Sequence, residues 1–440
     1  MFEKEVYIAR RKALLERLGA QKGIALFLGN VDAPAQYKDN CYKWRQDSNW
    51  LYFFGIDEPR FAATIDLETG EETLYADDFD IDDIIWMGPM PSVRSLADRV
   101  GVARTAPYDA LAAAVKGRPV HFLPASRYYN RMKLASLLGL DPSEVTSASK
   151  AGCPKASEPL VRAVISLRLV KEPREIAQID AACALGYEMH TVARRGIRLG
   201  RIEQEIVGDM EGVTLAKGWG TSFPTILTQH GEIFHCHSHA LPIEPGKLMV
   251  IDAGAEGNDH YASDFTRTYP TSGRFTQKQR DIYQTVYECN ELAFSMIRPG
   301  TPYRDVHLAV AAHMLDNLRQ LDLVRGNIDE MVADGIAGLF MPHGLGTIWV
   351  WMCTIWRTWA RTWSATTRAR PAPRSSDWAA CVWRAPSRRA MSSPTNRASI
   401  SSRRSSSSGS AKARTRAGSI MRNSLNIMIL AVFVWKTMSS

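Results

Sequence analysis

The stretch VIDAGAEGNDHYASDFTRTYP, residues 250–270, decides how we interpret the fold of this chain. An apolar run, Leu248–Ile251, leads into Asp252, and a second acidic residue, Asp264, lies in the next such segment. The residues between them, from Gly254 to Asp259, are small and turn-prone, which predicts two neighbouring antiparallel strands. Strands paired in this way can direct both carboxylates into one pocket, where they could share metal ions. An Asp at a strand end is more often a turn or cap residue, so the rest of the chain must decide.

The first part of the chain has the pattern of an α/β domain. Residues 4–18 predict an amphipathic helix, and residues 24–29 predict a buried strand. From residue 44 to residue 78 the sequence predicts strand, turn and strand, with the aromatic side chains in the core. The run DDFDIDD, residues 77–83, is interpreted as a solvated loop in preference to a cation site. We therefore predict an N-terminal domain over residues 1–165.

The second part mixes longer helices with strands. A helix is predicted to start at Glu172-Pro173, because Pro favours the first turn. The segments TSFPTILTQH (221–230) and EIFHCHSHALPIEPGKLMVIDAGA (232–255) are predicted to form strands, one of them at FHCHSH. Two later helices follow, one from residue 277 and one with Thr301 as its N-cap and Pro302 in its first position. These elements predict a second, α+β domain over residues 166–346.

The charge is divided unevenly along the chain. Of its 54 basic residues, 14 Arg and 2 Lys follow Gly346, whereas only one of its 46 acidic residues, Asp377, does so. The net charge of +8 therefore combines an acidic body with a basic tail and does not by itself indicate a nucleic-acid partner. The seven Cys show no paired spacing, which favours a reducing cytoplasm. The sequence lacks the pattern of a signal peptide and of a membrane span, so we predict a cytoplasmic protein with no membrane partner.

Four motifs in a fixed order resemble the Xaa-Pro peptidases, the family of prolidase and aminopeptidase P. They are RQDSNWLYFFGIDEP, VKEPREIAQI, FHCHSH followed by GKLMVIDAGAE and YASDFTRTYP, and MPHGLG. The resemblance extends from the N-terminus to Gly346. It implies an α+β fold: an N-terminal α/β creatinase/prolidase-type domain followed by a C-terminal pita-bread metallopeptidase domain, here truncated in-frame at about residue 346. It also implies a homodimer, which is common in the family.

The resemblance further implies a site with two metal ions, usually manganese, held by two Asp, one His and two Glu. Asp252 and Asp264 match the two Asp ligands. His235 matches the histidine on the substrate side, and His343 of MPHGLG is taken as a second catalytic histidine. Hard oxygen ligands with one imidazole suit Mn²⁺, with Zn²⁺ or Co²⁺ as alternatives. Two such ions would share a bridging water and polarise the scissile carbonyl, while histidines stabilise the oxyanion.

Two further histidines, His237 and His239, follow His235 at the spacing of a strand. The two-residue alternation of a strand would place all three on one face. We interpret His237 and His239 as an exposed strand face that is not part of the site.

After Gly346 the sequence departs from the family pattern. The family continues with another histidine, the third metal ligand, at the position of Thr347, but this chain has no His after His343. The next residues are rich in Trp, Arg and Ser, and seven of the 12 Trp lie between Thr347 and Trp383. An Arg-rich nucleic-acid-binding tail, a low-complexity tail and codons read out of frame would each produce such a change.

The genetic code distinguishes these alternatives. If each hidden codon takes the last base of one visible codon and the first two of the next, the unique codons of Trp and Met force several residues. The forced residues are glycine from Trp349-Val350, aspartate from Trp351-Met352, valine from Met352-Cys353 and glutamate from Trp435-Lys436. The shifted frame can be read as HNMGLDVHD after MPHGLG, which is the family's own continuation, and it allows a further glutamate at the position of Asn396. We therefore predict a frameshift at or just before the Gly346–Thr347 junction, with residues 347–440 largely unstructured.

These observations lead to a definite expectation of function. We expect the family activity to be that of an Xaa-Pro dipeptidase (prolidase), which hydrolyses the bond before proline in the second position of a small peptide. This exact chain is expected to be inactive, because it retains two of the five metal ligands. The alternatives are an Xaa-Pro aminopeptidase (aminopeptidase P) and, from another class, a non-catalytic protein whose basic tail binds nucleic acid. We expect no nucleic-acid partner.

Overall fold

The computed structural model of the chain describes residues 2–37, 39–146, 153 and 155–345. It divides into two compact units, one within Met1–Leu169 and the other beginning at Val170. The sequence-based boundary near residue 165 falls inside a helix of the first unit, and the assignment of functional domains stays a prediction. The frameshift and the unstructured tail were predicted for residues that lie outside this described part. No helix in the described part is long and apolar enough to cross a membrane.

The first unit combines one mixed five-stranded sheet with helices. Its strands, in the spatial order β4-β3-β2-β1-β5, are β1 (Ile24–Leu28), β2 (Ala62–Asp66), β3 (Glu72–Tyr75), β4 (Arg104–Ala106) and β5 (Val120–Phe122). Its helices are α1 (Lys4–Leu18), α2 (Ser48–Phe54), α3 (Ile81–Met87), α4 (Val93–Val100), α5 (Leu111–Val115), α6 (Tyr128–Leu138) and α7 (Glu158–Leu169), with a short 3₁₀ turn at Tyr108–Ala110. The predictions of α1 and β1 are confirmed.

The prediction of a strand at SNWLYFF is wrong, because this segment forms helix α2. The Asp47 carboxylate accepts hydrogen bonds from the backbone N–H groups of Asn49 (2.8 Å) and Trp50 (3.0 Å). Gly55, with φ of 64°, ends the helix in the left-handed conformation. All seven helical residues are buried, and a short fully apolar run has no periodicity that separates a strand from a buried helix. The prediction that the aromatics belong to the core is confirmed, since Trp50 and Phe53 are fully buried.

The acidic run at residues 77–83 also differs from its prediction. Its second half begins α3, and Asp80 and Asp83 form a reciprocal capping box at the helix start. Asp77 and Asp78 accept hydrogen bonds from the backbone N–H groups of Tyr108 and Val93. Four of the five carboxylates of this run therefore accept hydrogen bonds from backbone N–H groups.

The second unit has two small sheets covered by longer helices. Its strands are β6 (Gly220–Thr221), β7 (Ile226–Thr228), β8 (Leu248–Ala253), β9 (Ala255–Glu256) and β10 (Phe265–Pro270), in the orders β10-β8-β7 and β6-β9. Its helices are α8 (Pro173–Gly196), α9 (Glu203–Leu215), α10 (Gln277–Met296), α11 (Tyr303–Gln320) and α12 (Ile328–Ala333), with a 3₁₀ turn at Ile336–Leu339. Helix α8 begins as predicted, with a capping box between Glu172 and Glu175. Helix α11 begins one residue later than predicted, with Pro302 as its N-cap.

Strand β8 lies between two cores. On one face, Met249, Ile251 and Ala253 pack with apolar residues of α8 and α9. On the other face, Leu248 belongs to the core of α10 and α11, while Val250 packs against Phe234. Because β8 is buried along its whole length, any polar side chain on it must lie in the protein interior.

Candidate active site

Of the two candidate metal ligands, Asp252 lies on β8 and Asp264 directly precedes β10. Asp252 is paired with Thr266 on the antiparallel strand β10, so the predicted antiparallel strands are confirmed. Directly paired residues point to the same side of a sheet, so Asp252 and Thr266 share a face, and Asp264 is the residue that leads into this strand. Asp252 is 3% exposed and Asp264 is 6% exposed. Two buried carboxylates require compensating positive charge or hydrogen-bond donors.

The remainder of this face is polar in its centre. Thr268 on β10 and Thr228 on β7 both pair with Val250, and all three side chains are buried. Within the described residues, the hydroxyl oxygens of Thr266 and Thr268 make no hydrogen bond. Buried hydroxyls are normally hydrogen-bonded, so this face has the donors and acceptors of a site for a polar ligand.

The connection between the two carboxylates is compact and tightly packed. A Cβ atom added to Gly254 would lie 1.9 Å from the Ser263 carbonyl oxygen, so only glycine fits where the two backbones cross. The Ser222 hydroxyl donates to the same carbonyl (2.6 Å), and the Ser263 N–H donates to the Ala255 carbonyl (2.8 Å). The Tyr261 hydroxyl donates to the Glu175 carboxylate on α8 (3.0 Å). The separation of Asp252 and Asp264 is therefore set by contacts within this connection and with α8.

We expect Gly254→Ala to destabilise the second unit by about 2–3 kcal/mol, since backbone atoms must shift to admit the methyl group. Urea unfolding followed by circular dichroism measures the change. Gly212→Ala on α9 is the matched control, because no atom lies within 4 Å of its added Cβ and alanine favours a helix. Equal midpoints for the two variants would contradict the close approach at Gly254.

His235 lies in a loop, and the prediction of a strand at residues 232–239 is wrong. Local backbone bonds replace a strand ladder: the Ile233 N–H donates to the His230 carbonyl, and the Cys236 N–H donates to the Ile233 carbonyl. The exposed His235 ring stacks on the His237 ring, with centroids 6.4 Å apart and an interplanar angle of 29°. His235 is therefore accessible to a substrate.

His239 contradicts its predicted place on an exposed face. It is buried, and its Nδ1 lies 2.9 Å from the Leu227 carbonyl oxygen of β7. The two-residue period that suggested exposure does not apply, because the segment is not a strand. His237 is exposed, as predicted.

His343 lies in the segment that follows the 3₁₀ turn at Ile336–Leu339, and Phe234 brings it to the Asp252 face. The rings of Phe234 and His343 are in edge-to-face contact, with centroids 6.2 Å apart. Phe234 also packs against Val250, which shares the face of Asp252. The structure thus joins the loop of His235, the segment of His343 and the acidic sheet face around one aromatic ring.

The residues present fit only part of the metal centre implied by the family resemblance. Buried carboxylate oxygens from Asp252 and Asp264 suit a hard divalent cation. The described residues contain no group of three or more His, Cys, Asp or Glu side chains placed to hold a metal ion. Beyond His343 the sequence has no His, and its one acidic residue there is Asp377. Within the described residues, the two carboxylates are candidates for two of the five expected ligands, and no complete dinuclear set is present.

Comparison with known proteins supports the family resemblance. Residues 177–350 match Metallopeptidase family M24, and residues 7–118 match the aminopeptidase P N-terminal domain. The chain is 28% identical over 354 residues to Escherichia coli Xaa-Pro aminopeptidase, covering 78% of this chain and 79% of that protein. These similarities support the M24 metallopeptidase family for this chain. Its fold class is confirmed as an aminopeptidase P-type N-terminal domain followed by a pita-bread domain.

Two further similarities extend this result. A probable Xaa-Pro aminopeptidase of Ajellomyces capsulatus is 28% identical, covering 77% of this chain but only 64% of that protein. A solved structure of zinc-substituted E. coli aminopeptidase P in complex with product is 27% identical, with a TM-score of 0.69 and coverage of 80% of this chain and 82% of that one. The named relatives favour the aminopeptidase alternative over the expected dipeptidase.

Two buried histidines of this chain were not predicted from its sequence. His190 on α8 places its Nε2 3.2 Å from the Ala253 carbonyl oxygen. His307 on α11 accepts a hydrogen bond at Nδ1 from the Leu345 N–H (3.2 Å). Burial is the main cause that lowers the pKa of each to about 4; for His307 the charge of His343 adds to it. Both lie at helical positions where the periodic pattern has apolar residues. A histidine at such a position is the sequence signal for a buried polar side chain.

We expect His307 to decrease the free energy of unfolding at acidic pH. Its ordinary pKa is near 6.5, so below that pH the unfolded chain binds a proton that the folded chain excludes until about pH 4. Its contribution is complete above pH 6.5 and falls by up to about 3 kcal/mol as the pH approaches 4. In His307→Asn, the slope of unfolding free energy against pH should decrease by up to about 1.4 kcal/mol per pH unit in this window. Urea unfolding at several pH values measures it, with His313→Asn on the same helix as control; an unchanged slope would contradict the prediction.

Proposed function

We propose that this chain derives from an Xaa-Pro aminopeptidase, which removes the N-terminal residue of a peptide whose second residue is proline. The observation that carries the proposal is the meeting of the sheet face of Asp252 with the segments of His235 and His343 around Phe234. The names of the similar proteins support the aminopeptidase over the dipeptidase. A proline bond has no N–H and carries a ring, so sites that bind substrates as strands accept it poorly and a dedicated pocket is needed.

We assign the site residues as follows. Asp252 and Asp264 hold a divalent metal, with manganese as the expected ion and zinc or cobalt as alternatives. When bound, such an ion lowers the pKa of a water molecule and polarises the scissile carbonyl. His235, which is exposed, contacts the substrate and donates a hydrogen bond to its carbonyl oxygen as negative charge develops there. His343 beside Phe234 is the second histidine of this group.

We further propose that the 440-residue chain itself has little or no peptidase activity. Its two carboxylates lack the histidine and two glutamates that the family arrangement adds, and the sequence after Gly346 offers no replacement. The frameshift that explains this loss concerns residues outside the described part. A functional division at residues 165 and 346, assembly as a homodimer and a place in the cytoplasm belong to the same proposal. Four cysteines in the described part, Cys153, Cys183, Cys236 and Cys289, are free thiols, which agrees with a reducing compartment.

Metal binding tests the assignment of the carboxylates without relying on catalysis. We expect the full chain to bind Mn²⁺ weakly, with a Kd on the order of 10⁻⁴–10⁻³ M, as in sites with few oxygen ligands. Asp252→Asn and Asp264→Asn should each weaken binding by at least roughly tenfold. The free Mn²⁺ signal in electron paramagnetic resonance measures the Kd, with Asp305→Asn on the surface of α11 as control. Wild-type affinity in both site variants would remove the carboxylates from the proposal.

A further inference from the structure

We propose that three buried histidines, His190, His239 and His307, are positioning residues, each of which holds one of the three segments that form the candidate site. This inference rests on the proposed function for the roles of the residues that those segments carry. All ten histidines of the chain lie in its described part, and these three are the buried ones among them. His190 and His307 bond the backbone of two of these segments, and His239, which lies in the third, bonds the backbone of β7.

His190 holds the connection between the two carboxylates. Its Nε2 contacts the carbonyl oxygen of Ala253, the residue after Asp252. Its ring also meets Phe265, the residue after Asp264, edge to face at 6.1 Å. One imidazole therefore contacts the neighbour of each carboxylate from the helix side of the sheet. Gly186, one turn earlier on α8, allows the close approach, because an added Cβ would lie 2.5 Å from the Ser263 hydroxyl oxygen.

His239 holds the loop that carries His235. Its Nδ1 bonds the Leu227 carbonyl, and its own carbonyl accepts a hydrogen bond from the Gln204 N–H (2.8 Å). The buried Glu203 accepts hydrogen bonds from the backbone N–H (2.9 Å) and side-chain amide (3.2 Å) of Gln229 at the start of the loop. Both ends of an otherwise exposed loop are thereby fixed against β7 and α9.

His307 holds the segment that carries His343. The Leu345 N–H, two residues after His343, donates to its Nδ1. The neighbouring positions of α11, Val306 and Val310, are buried apolar residues of the core. An imidazole at this position lies beside the apolar core and offers a hydrogen-bond acceptor to an irregular segment of backbone.

The bonds define the protonation of each ring. A carbonyl oxygen can only accept, so His190 carries its proton on Nε2 and His239 carries its proton on Nδ1. His307 accepts at Nδ1 and carries its proton on Nε2. The amide side chains reproduce these atoms: Gln offers a donor near Nε2, whereas Asn offers a donor or an acceptor near Nδ1. Leucine fills a similar volume and offers neither, which separates positioning from simple packing.

Hydrogen–deuterium exchange of the full 440-residue chain tests the inference. We expect His307→Leu to raise exchange roughly tenfold in the peptide containing residues 341–345, the fold-change expected when one net hydrogen bond is lost. His239→Leu should do the same for residues 230–241, and His190→Leu for residues 253–264. Each leucine variant should leave the other two segments and α1 at wild-type exchange. His190→Gln, His239→Asn and His307→Asn should restore protection, and His313→Leu is the surface control.

The possible results separate clearly. Wild-type exchange in the leucine variants, or equal loosening of all segments and α1, would overturn the positioning roles. Amide variants that exchange as fast as the leucine variants would also overturn the positioning roles. Where a leucine variant does not fold, the amide variant alone tests the role of that histidine. Exchange does not depend on metal or catalysis, so a failure of the proposed peptidase function would be seen in Mn²⁺ binding and activity while these results stood.

Discussion

Correcting the reading frame at Gly346 is expected to raise the rate of Xaa-Pro bond cleavage by at least roughly 10³-fold over that of the 440-residue chain. The correction is a one-base change after which MPHGLG continues with the shifted-frame sequence HNMGLDVHD. The proposed site would then contain one histidine and two glutamates in addition to the two carboxylates. The effect of the correction should be large because, in the proposed centre, five ligands hold the ions jointly and the chain as written retains two of them. Release of the N-terminal residue from a peptide with proline in the second position, assayed with added Mn²⁺, measures the change.

Two controls make this result specific. Asp252→Asn in the corrected protein should return the activity to that of the 440-residue chain, because the restored ligands still need the carboxylates. A dipeptide such as Gly-Pro, compared with a longer peptide, separates the dipeptidase from the aminopeptidase, and we expect the longer peptide to be cleaved at least as well. Equal activities of the 440-residue chain and the corrected protein, with masses verified, would refute both the loss of the site and its cause.

Arg11→Met is expected to destabilise the first unit by about 3–5 kcal/mol, the usual cost of breaking a buried ion pair by removing one partner. The Arg11 side chain is fully buried, and its Nε lies 2.8 Å from a carboxylate oxygen of Glu72. Its two other nitrogens donate to the carbonyl oxygens of Phe53 (2.8 Å) and Val100 (2.9 Å). Methionine fills much of the volume but leaves these carbonyls and the carboxylate without their donor. The guanidinium therefore joins α1 to α2, β3 and the end of α4.

Thermal unfolding measures the effect of Arg11→Met, and a decrease in Tm of roughly 10 °C is expected for a unit of this size. Arg17→Met is the matched control, because Arg17 is exposed in the last turn of the same helix and its loss should change stability by less than about 1 kcal/mol. Arg11→Lys should be intermediate, since it keeps the charge but cannot donate in three directions. A Tm for Arg11→Met within 2–3 °C of the control would show that the ion pair contributes little.

Local signals in the sequence predicted much of the fold. The helix at residues 4–18, the strand from Ile24 and the start of α8 at Pro173 follow from periodicity and capping, which act between near neighbours. The turn-prone residues after Asp252 predicted the antiparallel pair β8 and β10 for the same reason. The wrong predictions concern α2 and the loop of His235, where an uninterrupted apolar run and an H-x-H spacing are compatible with more than one conformation.

By itself, the sequence indicated the family resemblance, two acidic candidate ligands, most of the helices and strands, and the point at which the family pattern stops. Only the tertiary structure showed that His190 and His307 bond the segments of Asp252 and His343, that His239 bonds its loop to β7, and that Arg11 joins elements far apart in the chain. The physical reason is the range of the interactions. Helix caps and hydrophobic periodicities depend on residues that are close in the sequence. A buried imidazole or guanidinium instead makes hydrogen bonds to backbone groups that only folding brings within about 3 Å.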